Sequence, residues 1–284
     1  HRPVAALARI GVSQTVLAGT ADGGFDLDEA ERALAGARLL VLSHVSNVLG
    51  TVAPLAELAE RAHAHGALVL VDASQSAGHL PVNVEAMGID LLAFTGHKGL
   101  LGPQGTGGLY VREGLEIASI FAGGTGGESG PAEMPEAMPD RLEAGTQNGP
   151  GIAGLLAGVE WVLARGAGAV HERQAELKAR LRGALARVPG LRLHSPAAPE
   201  GVGIVTVTVD GIDPAELAAR LDRDHGVMTR AGLHCAPEAH RILGTEATGA
   251  VRFSVGWATT EAEVDRAAGA VASVAAETMA AGRG

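Results

Sequence analysis

Short apolar runs along this chain alternate with stretches in which apolar positions recur every three or four residues. That is the pattern of strands alternating with helices in an α/β fold. The runs RLLVLS (38–43), ALVLV (67–71) and IDLLAF (89–94) read as strands, and the Gly-rich run GTGGLYV (105–111) as another. Asp26-Leu27-Asp28-Glu29 has the arrangement of a capped helix start. Pro54 opens a helix to about His65, with Leu55, Leu58, Ala59 and Ala62 on one face. Residues 121–150, rich in Gly, Pro and Glu, read as an irregular loop. Residues 151–188, rich in Ala, Leu, Glu and Arg, read as a long helical region.

After Pro189 the texture changes. The run VGIVTVTV (202–209) alternates Val and Ile with Thr and Gly, as a half-exposed antiparallel strand does. Asp213-Pro214-Ala215-Glu216 caps a helix to about Asp224. A further strand, VRFSV (251–255), leads to Thr260-x-x-Glu263, a capping box for the last helix. The expected organisation is a large, mainly parallel α/β domain over 1–150, a connecting helix over 151–165, and a small α+β domain over 166–284. No internal repeat is visible.

Composition narrows the class. With 46% hydrophobic and 19% charged residues in 284, the chain can bury a sizeable core. Its 41 Gly and 13 Pro follow no period, which excludes collagen-like and low-complexity readings. A net charge of −10 with no basic stretch argues against nucleic acid or an anionic membrane as the main partner. No apolar run has the length that spans a bilayer, and no signal-peptide pattern opens the chain. The single cysteine, Cys235, excludes an internal disulfide and fits a reducing, cytoplasmic setting. Positive charge is carried almost wholly by arginine: only two lysines occur, Lys98 and Lys178.

The chemistry gathers at strand ends. In open parallel sheets ligands bind beyond the carboxyl ends of the strands. Here one strand runs into His44-Val45-Ser46-Asn47, another into Asp72-Ala73-Ser74-Gln75, and a third into Thr95-Gly96-His97-Lys98. Asn47, Asp72, Gln75, Thr95, His97 and Lys98 are thus expected on one edge. An Asp and a Lys from different strand ends, with hydroxyl and imidazole groups between, suit pyridoxal 5′-phosphate. The lysine forms the Schiff base, and the carboxylate keeps the ring nitrogen protonated so that the ring accepts carbanion charge. The plainer alternatives are a turn residue for Asp72, a solvated loop lysine for Lys98, and strand-end polar groups for Thr95 and His97. Arginine dominance weighs against the second, because a guanidinium cannot replace a primary amine in this chemistry. Lys178, in the charged segment HERQAELKAR, reads as a dispensable surface residue.

Taken together, SHVSNVLGTVAPL, HAHGALVLVDASQSAGHLPVNVEAMGIDLLAFTGHKGLLGPQGTGGLYV, RLEAGTQN (141–148), RAGLHCAP (230–237) and VRFSVGWATTEAEVD (251–265) resemble the class V pyridoxal-phosphate aminotransferase superfamily. Within it, the likeness is to cysteine desulfurases grouped with selenocysteine lyases. The resemblance implies fold type I, with a seven-stranded-type large domain and a small C-terminal domain. It implies that Lys98 is the Schiff-base lysine and moves the proton at substrate Cα, that Asp72 pairs with the pyridine nitrogen, and that Gln75 meets the ring hydroxyl. Asn47 would lie beside the ring and the substrate carboxylate, Thr95 and His97 at the phosphate, and Arg230 and Arg252 at the substrate. Thr146 would reach the phosphate of a neighbouring subunit in a homodimer. Cys235 would take sulfur from L-cysteine, or selenium from L-selenocysteine, and pass sulfur to an acceptor protein. The family also carries an upstream phosphate loop and a ring-stacking residue. On that reading this chain, which opens on His1, is an N-terminally truncated part of a longer protein, His1 is not the stacking residue, and the chain alone binds the cofactor weakly or not at all.

Cys235 by itself is compatible with a small buried hydrophobe. Its setting in Arg230-Ala231-Gly232-Leu233-His234-Cys235-Ala236-Pro237 is polar and turn-like, and neighbouring Arg and His favour a nucleophilic thiolate. A metal site on His234, Cys235 and His240 lacks a complete ligand set. The glycines at 105–108 and 123–127 lack the GxGxxG context of a dinucleotide site. Two other functions stay open at this point: another class V aminotransferase or lyase, and a non-catalytic truncated paralogue.

Overall fold

Asp26 accepts the backbone N–H of Asp28 and Glu29, which starts helix α2 (Leu27–Leu34) after a short N-terminal helix α1 (Arg2–Leu7). The computed structural model describes residues 2–127, 130, 132–197 and 201–281. The expectation about His1 therefore lies outside the described residues, as do positions 128, 129 and 131 of the 121–150 loop. Strands β1 (Leu39–Ser43), β2 (Leu68–Asp72), β3 (Leu91–Thr95) and β4 (Gly107–Val111) form one sheet in that order, with helix α3 (Leu55–Ala64) between β1 and β2. The first three strands are parallel and β4 returns antiparallel beside β3. The face of α3 read from the sequence, Leu55, Leu58, Ala59 and Ala62, is the one buried, and Leu55, Ala59 and Ala62 pack with Leu34, Val69, Val71, Ile89 and Leu92. On the sheet's opposite face Leu39, Val41 and Leu109 are exposed.

The long helical region is made of two helices. Helix α4 (Gly149–Arg165), capped by Asn148, ends at Gly166, whose φ of +81° no L side chain adopts readily. Helix α5 (Ala167–Leu185) then leaves at a bend of 80°. Trp161 of α4 meets Trp257 edge to face, with ring centroids 5.7 Å apart.

A second, antiparallel sheet follows, from strands β5 (Leu191–Leu193), β6 (Ile204–Val209), β7 (Arg230–Gly232) and β8 (Ala250–Ser254), in the order β5-β6-β8-β7. Helices α5, α6 (Pro214–His225) and, beyond the short helix α7 (Pro237–Leu243), α8 (Glu261–Ala281) pack on it. Leu177, Leu181, Val205, Val207, Leu217, Leu221, Val271 and Val274 make its core, each side chain adding about 2 kcal/mol by burial. The capping box is formed in both directions, Glu263 N–H donating to Thr260 Oγ1 and Thr260 N–H to Glu263 Oε2.

Two expectations are corrected here. Strand β6 is buried on both faces rather than half exposed. Val205 and Val207 face the helices, while Ile204 packs with Val45 and Thr206 donates to the Val48 carbonyl, so the loop after β1 covers the other side. Lys178 is fully buried rather than on the surface. Local charge suggested solvent, but its helical angle puts it on the inward stripe with Val170, Gln174, Leu177, Leu181 and Leu185.

Candidate active site

The parallel register sets Ser43 of β1, Asp72 of β2 and Ala93 of β3 side by side, so the polar segments that follow emerge at one edge. The loop after β1 is tied down by His44 N–H donating to the Asp72 carbonyl at 3.0 Å. Asp72 keeps an exposed carboxylate, with Oδ1 accepting Ser74 N–H at 2.9 Å. After β3, Gly96 N–H donates to Thr106 O and Gly102 N–H to Gly96 O, both at 2.8 Å, closing a tight turn around His97 and Lys98. Thr95 Oγ1 is buried without a partner among the described residues, His97 is exposed and Lys98 is partly exposed. This turn crosses the one after β2 backbone to backbone: a Cβ on Gly78 (φ +81°) would lie 2.2 Å from Gly99 O. Only glycine allows the Gln75 and Lys98 segments to touch there.

The second sheet supplies the other half. Arg230 of β7 and Arg252 of β8 are cross-strand neighbours. Arg252 Nη1 donates to Asn47 O at 2.9 Å, and Asn47 Nδ2 donates to His234 O. Asn47 thus joins the loop after β1 to both C-terminal motifs. Arg230 Nη2 donates to Cys235 Sγ at 3.4 Å, and the thiol is exposed. His234 and Cys235 have φ of +51° and +62°. The left-handed region costs a non-glycine residue about 1–2 kcal/mol, so the tip of this loop stays strained only because its surroundings hold it. Burial pushes the Arg252 guanidinium down, with the Arg230 charge adding and the Cys235 charge opposing.

An open pocket lies between the two sheets, lined by Gln75, His79, Gln174, Gly203, Arg252 and Ser254 among others. Gln75 and Arg252, far apart in sequence, share it. Of the expected set, the structure bonds Arg252 to Asn47 and Arg230 to Cys235, links Asn47 to the Cys235 loop through the His234 carbonyl, and puts Gln75 and Arg252 in the wall of one pocket. Asp72, Thr95, His97 and Lys98 stand at the adjoining strand ends. Thr146 is exposed on the loop before α4 and, among the described residues, has no hydrogen bond to the others.

Two contributors escape sequence reasoning, and a third enters it only as part of a metal set. His79 lies against Gly99, its Nδ1 2.8 Å from Gln174 Nε2. Burial pushes the His79 imidazole down, the Gln174 bond opposes, and the charges of His171 and Lys98 push it further down. Gln174 carries a detectable signal, a polar residue on the apolar face of α5; its Oε1 is buried without a partner among the described residues. The third is His240, whose Nε2 lies 3.1 Å from Nδ1 of His234.

The sequence matches the family model described as aminotransferase class-V over residues 1–267. It is 38% identical over 252 residues to a "Probable cysteine desulfurase" of Xylella fastidiosa (strain Temecula1), covering 86% of this chain and 59% of that protein. It is 37% identical over 265 residues to a "Cysteine desulfurase" of Escherichia coli O127:H6, covering 91% and 64%. The chain therefore spans about three-fifths of the length of the curated relatives it matches. Among solved structures, the apo cysteine desulfurase of Thermococcus onnurineus NA1 superposes with a TM-score of 0.84 at 33% identity, over 95% of this chain and 68% of that one. CsdA of Escherichia coli, solved as an S-sulfonic acid, gives 0.75 at 32% identity over 84% and 59%. With its parallel sheet, the converging strand-end loops and this likeness, the fold is type I of the pyridoxal-phosphate enzymes, and the chain belongs to the class V aminotransferase family.

Proposed function

We propose that this chain carries the pyridoxal 5′-phosphate-dependent centre of a cysteine desulfurase, converting L-cysteine to L-alanine with transfer of sulfur to Cys235. The observation that carries the reading is the Arg230 guanidinium on the chain's single thiol, in a strained turn bonded through Asn47 to Arg252 and the strand-end cluster. The residues fit the cofactor. Thr95 Oγ1 and Arg252 Nε are buried donors without partners among the described residues, as a site for anionic oxygens requires. When bound, the cofactor supplies an electron sink for charge developing at the substrate Cα.

Lys98, the primary amine at the edge, would hold the cofactor and move the proton at substrate Cα. Asp72 would hold a proton at the pyridine nitrogen, Gln75 would orient the ring hydroxyl, and Thr95 and His97 would hold the phosphate. Arg252 would fork onto the substrate carboxylate, with Asn47 and Arg230 beside it. Cys235 Sγ, as thiolate, attacks the substrate sulfur: a new S–S bond forms, the substrate Cβ–S bond breaks, and its electron pair stays on the carbon side, to be protonated. Cysteine plus thiol thus becomes alanine plus persulfide, with no outside oxidant or reductant. Selenocysteine fits the same geometry, and an acceptor protein would take the exposed persulfide. The exposed position of Thr146 is compatible with a contact across a homodimer, and a free thiol suits a reducing cytoplasm.

Replacing Cys235 with Ser tests the reading. In protein saturated with the cofactor, alanine and sulfide production from cysteine is expected to fall by roughly a hundredfold or more, because the oxygen is a far weaker nucleophile toward sulfur, while the cofactor absorption band matches the parent's. A transaminase that merely keeps a cysteine would be little affected, and that outcome overturns the proposal.

A further inference from the structure

His240 has no place in the chemistry above, yet it is fully buried and lies at the centre of a hydrogen-bonded chain that ends at the thiol loop. Its order follows from what each atom can do. The Arg230 carbonyl only accepts, so His234 Nε2, 2.9 Å away, carries a proton. In a neutral imidazole His234 Nδ1 is then an acceptor, and its partner, His240 Nε2 at 3.1 Å, must carry a proton too. His240 Nδ1 therefore accepts, and Thr245 Oγ1, at 2.8 Å, donates to it. One direction satisfies every member: Thr245 hydroxyl to His240, His240 to His234, His234 to the Arg230 carbonyl. The surroundings agree with two neutral rings. Burial holds both imidazoles below their ordinary value, with Arg230 and Arg252 facing His234 and the neighbouring His194 facing His240.

The chain grips the segment 230–235 at both ends. It fixes the Arg230 backbone, whose guanidinium donates to Cys235 Sγ, and it fixes the ring of His234, the left-handed residue before the cysteine. Asn47 holds the His234 carbonyl from the other side. We propose that His240 is a positioning residue for Cys235: through His234, it holds the left-handed turn that keeps the Arg230 guanidinium on the sulfur. A cationic donor stabilises negative charge building at a thiol, so the contact sets the sulfur's nucleophilicity without His240 touching it.

The importance of this thiol rests on the proposed desulfurase function, but the test needs neither cofactor nor substrate. Cys235 is the only cysteine, so iodoacetamide consumption by the 284-residue protein at pH 7 reports on it alone. His240→Leu is expected to slow alkylation roughly two- to fivefold, the loss of one exposed charge-assisted contact. His240→Gln, whose amide N–H can occupy the position of the ring Nε2–H, is expected to restore most of the rate. Imidazole ¹⁵N shifts of the parent protein at pH 7 should show both rings neutral with the proton on Nε2. Should His240→Leu not fold, judged by circular dichroism and melting, Thr245→Val takes its place and is expected to slow alkylation in the same direction. An unchanged rate in the folded variants, no rescue by Gln, or a His240 protonated on Nδ1 would each overturn the assignment. Slowed alkylation with undiminished desulfuration would count against the thiol's proposed role instead.

Discussion

Two buried histidines make this protein's stability sensitive to mild acid. Burial first, then the charges of Arg192 and His240, push His194 from 6.5 to about 4. Burial and the charges of Arg252, His240 and Arg230 push His234 to about 4, against the opposing bond to the Arg230 carbonyl. Between these values the unfolded chain binds more protons than the folded one, so stability is complete above about pH 6.5 and is lost as pH falls toward 4. Each ring contributes roughly 2–3 kcal/mol over that window. Urea midpoints measured from pH 7 to pH 4.5 should decline steadily; a flat series would contradict neutral buried rings. Other residues at this scale show how much was legible. Asn47, Asp72, Gln75 and Lys98 could be picked out because their residue types and their places after apolar runs are written in the sequence, Cys235 because its turn is polar, and Arg252 only through the family resemblance. Lys178 could not, because a window of charged neighbours hides which side of the helix a residue faces until the helix is packed.

At the scale of elements, α4 lies close against the loop that carries Lys98. A Cβ on Gly158 would come 2.1 Å from the Leu100 carbonyl oxygen. Gly158→Ala must therefore push helix and loop apart, and it is expected to cost about 2–3 kcal/mol in chemical denaturation and to weaken cofactor binding together. A variant as stable as the parent would show that the loop yields freely. Periodicity and caps located nearly every long element, since Asp26, Asp213 and the Thr260/Glu263 box act within one turn. It missed what is decided between elements. The 80° bend at Gly166 and the two-sided burial of β6 are of this kind, the latter depending on a loop more than 150 residues earlier in the chain.

At the scale of the molecule, the two sheets meet through a few polar contacts at the site. Thr206 Oγ1 donates to Val48 O, Val202 N–H donates to Gly50 O at 2.9 Å, and Arg252 holds Asn47 O. Thr206 is fully buried, so Thr206→Val leaves the Val48 carbonyl without its donor at nearly constant volume. It should cost about 1–3 kcal/mol. Differential scanning calorimetry checks this; an unchanged melting profile would mean the contact contributes nothing to docking the sheets. The sequence by itself determined the α/β class, the polar segments that follow the strands and the single cysteine, because these depend on local periodicity, caps and residue type. Tertiary structure alone decided that Gln75 and Arg252 share a pocket, that Gln174 reaches His79, and that His240 stands behind the thiol loop. Such contacts depend on how whole faces dock, and no local pattern records which faces will meet.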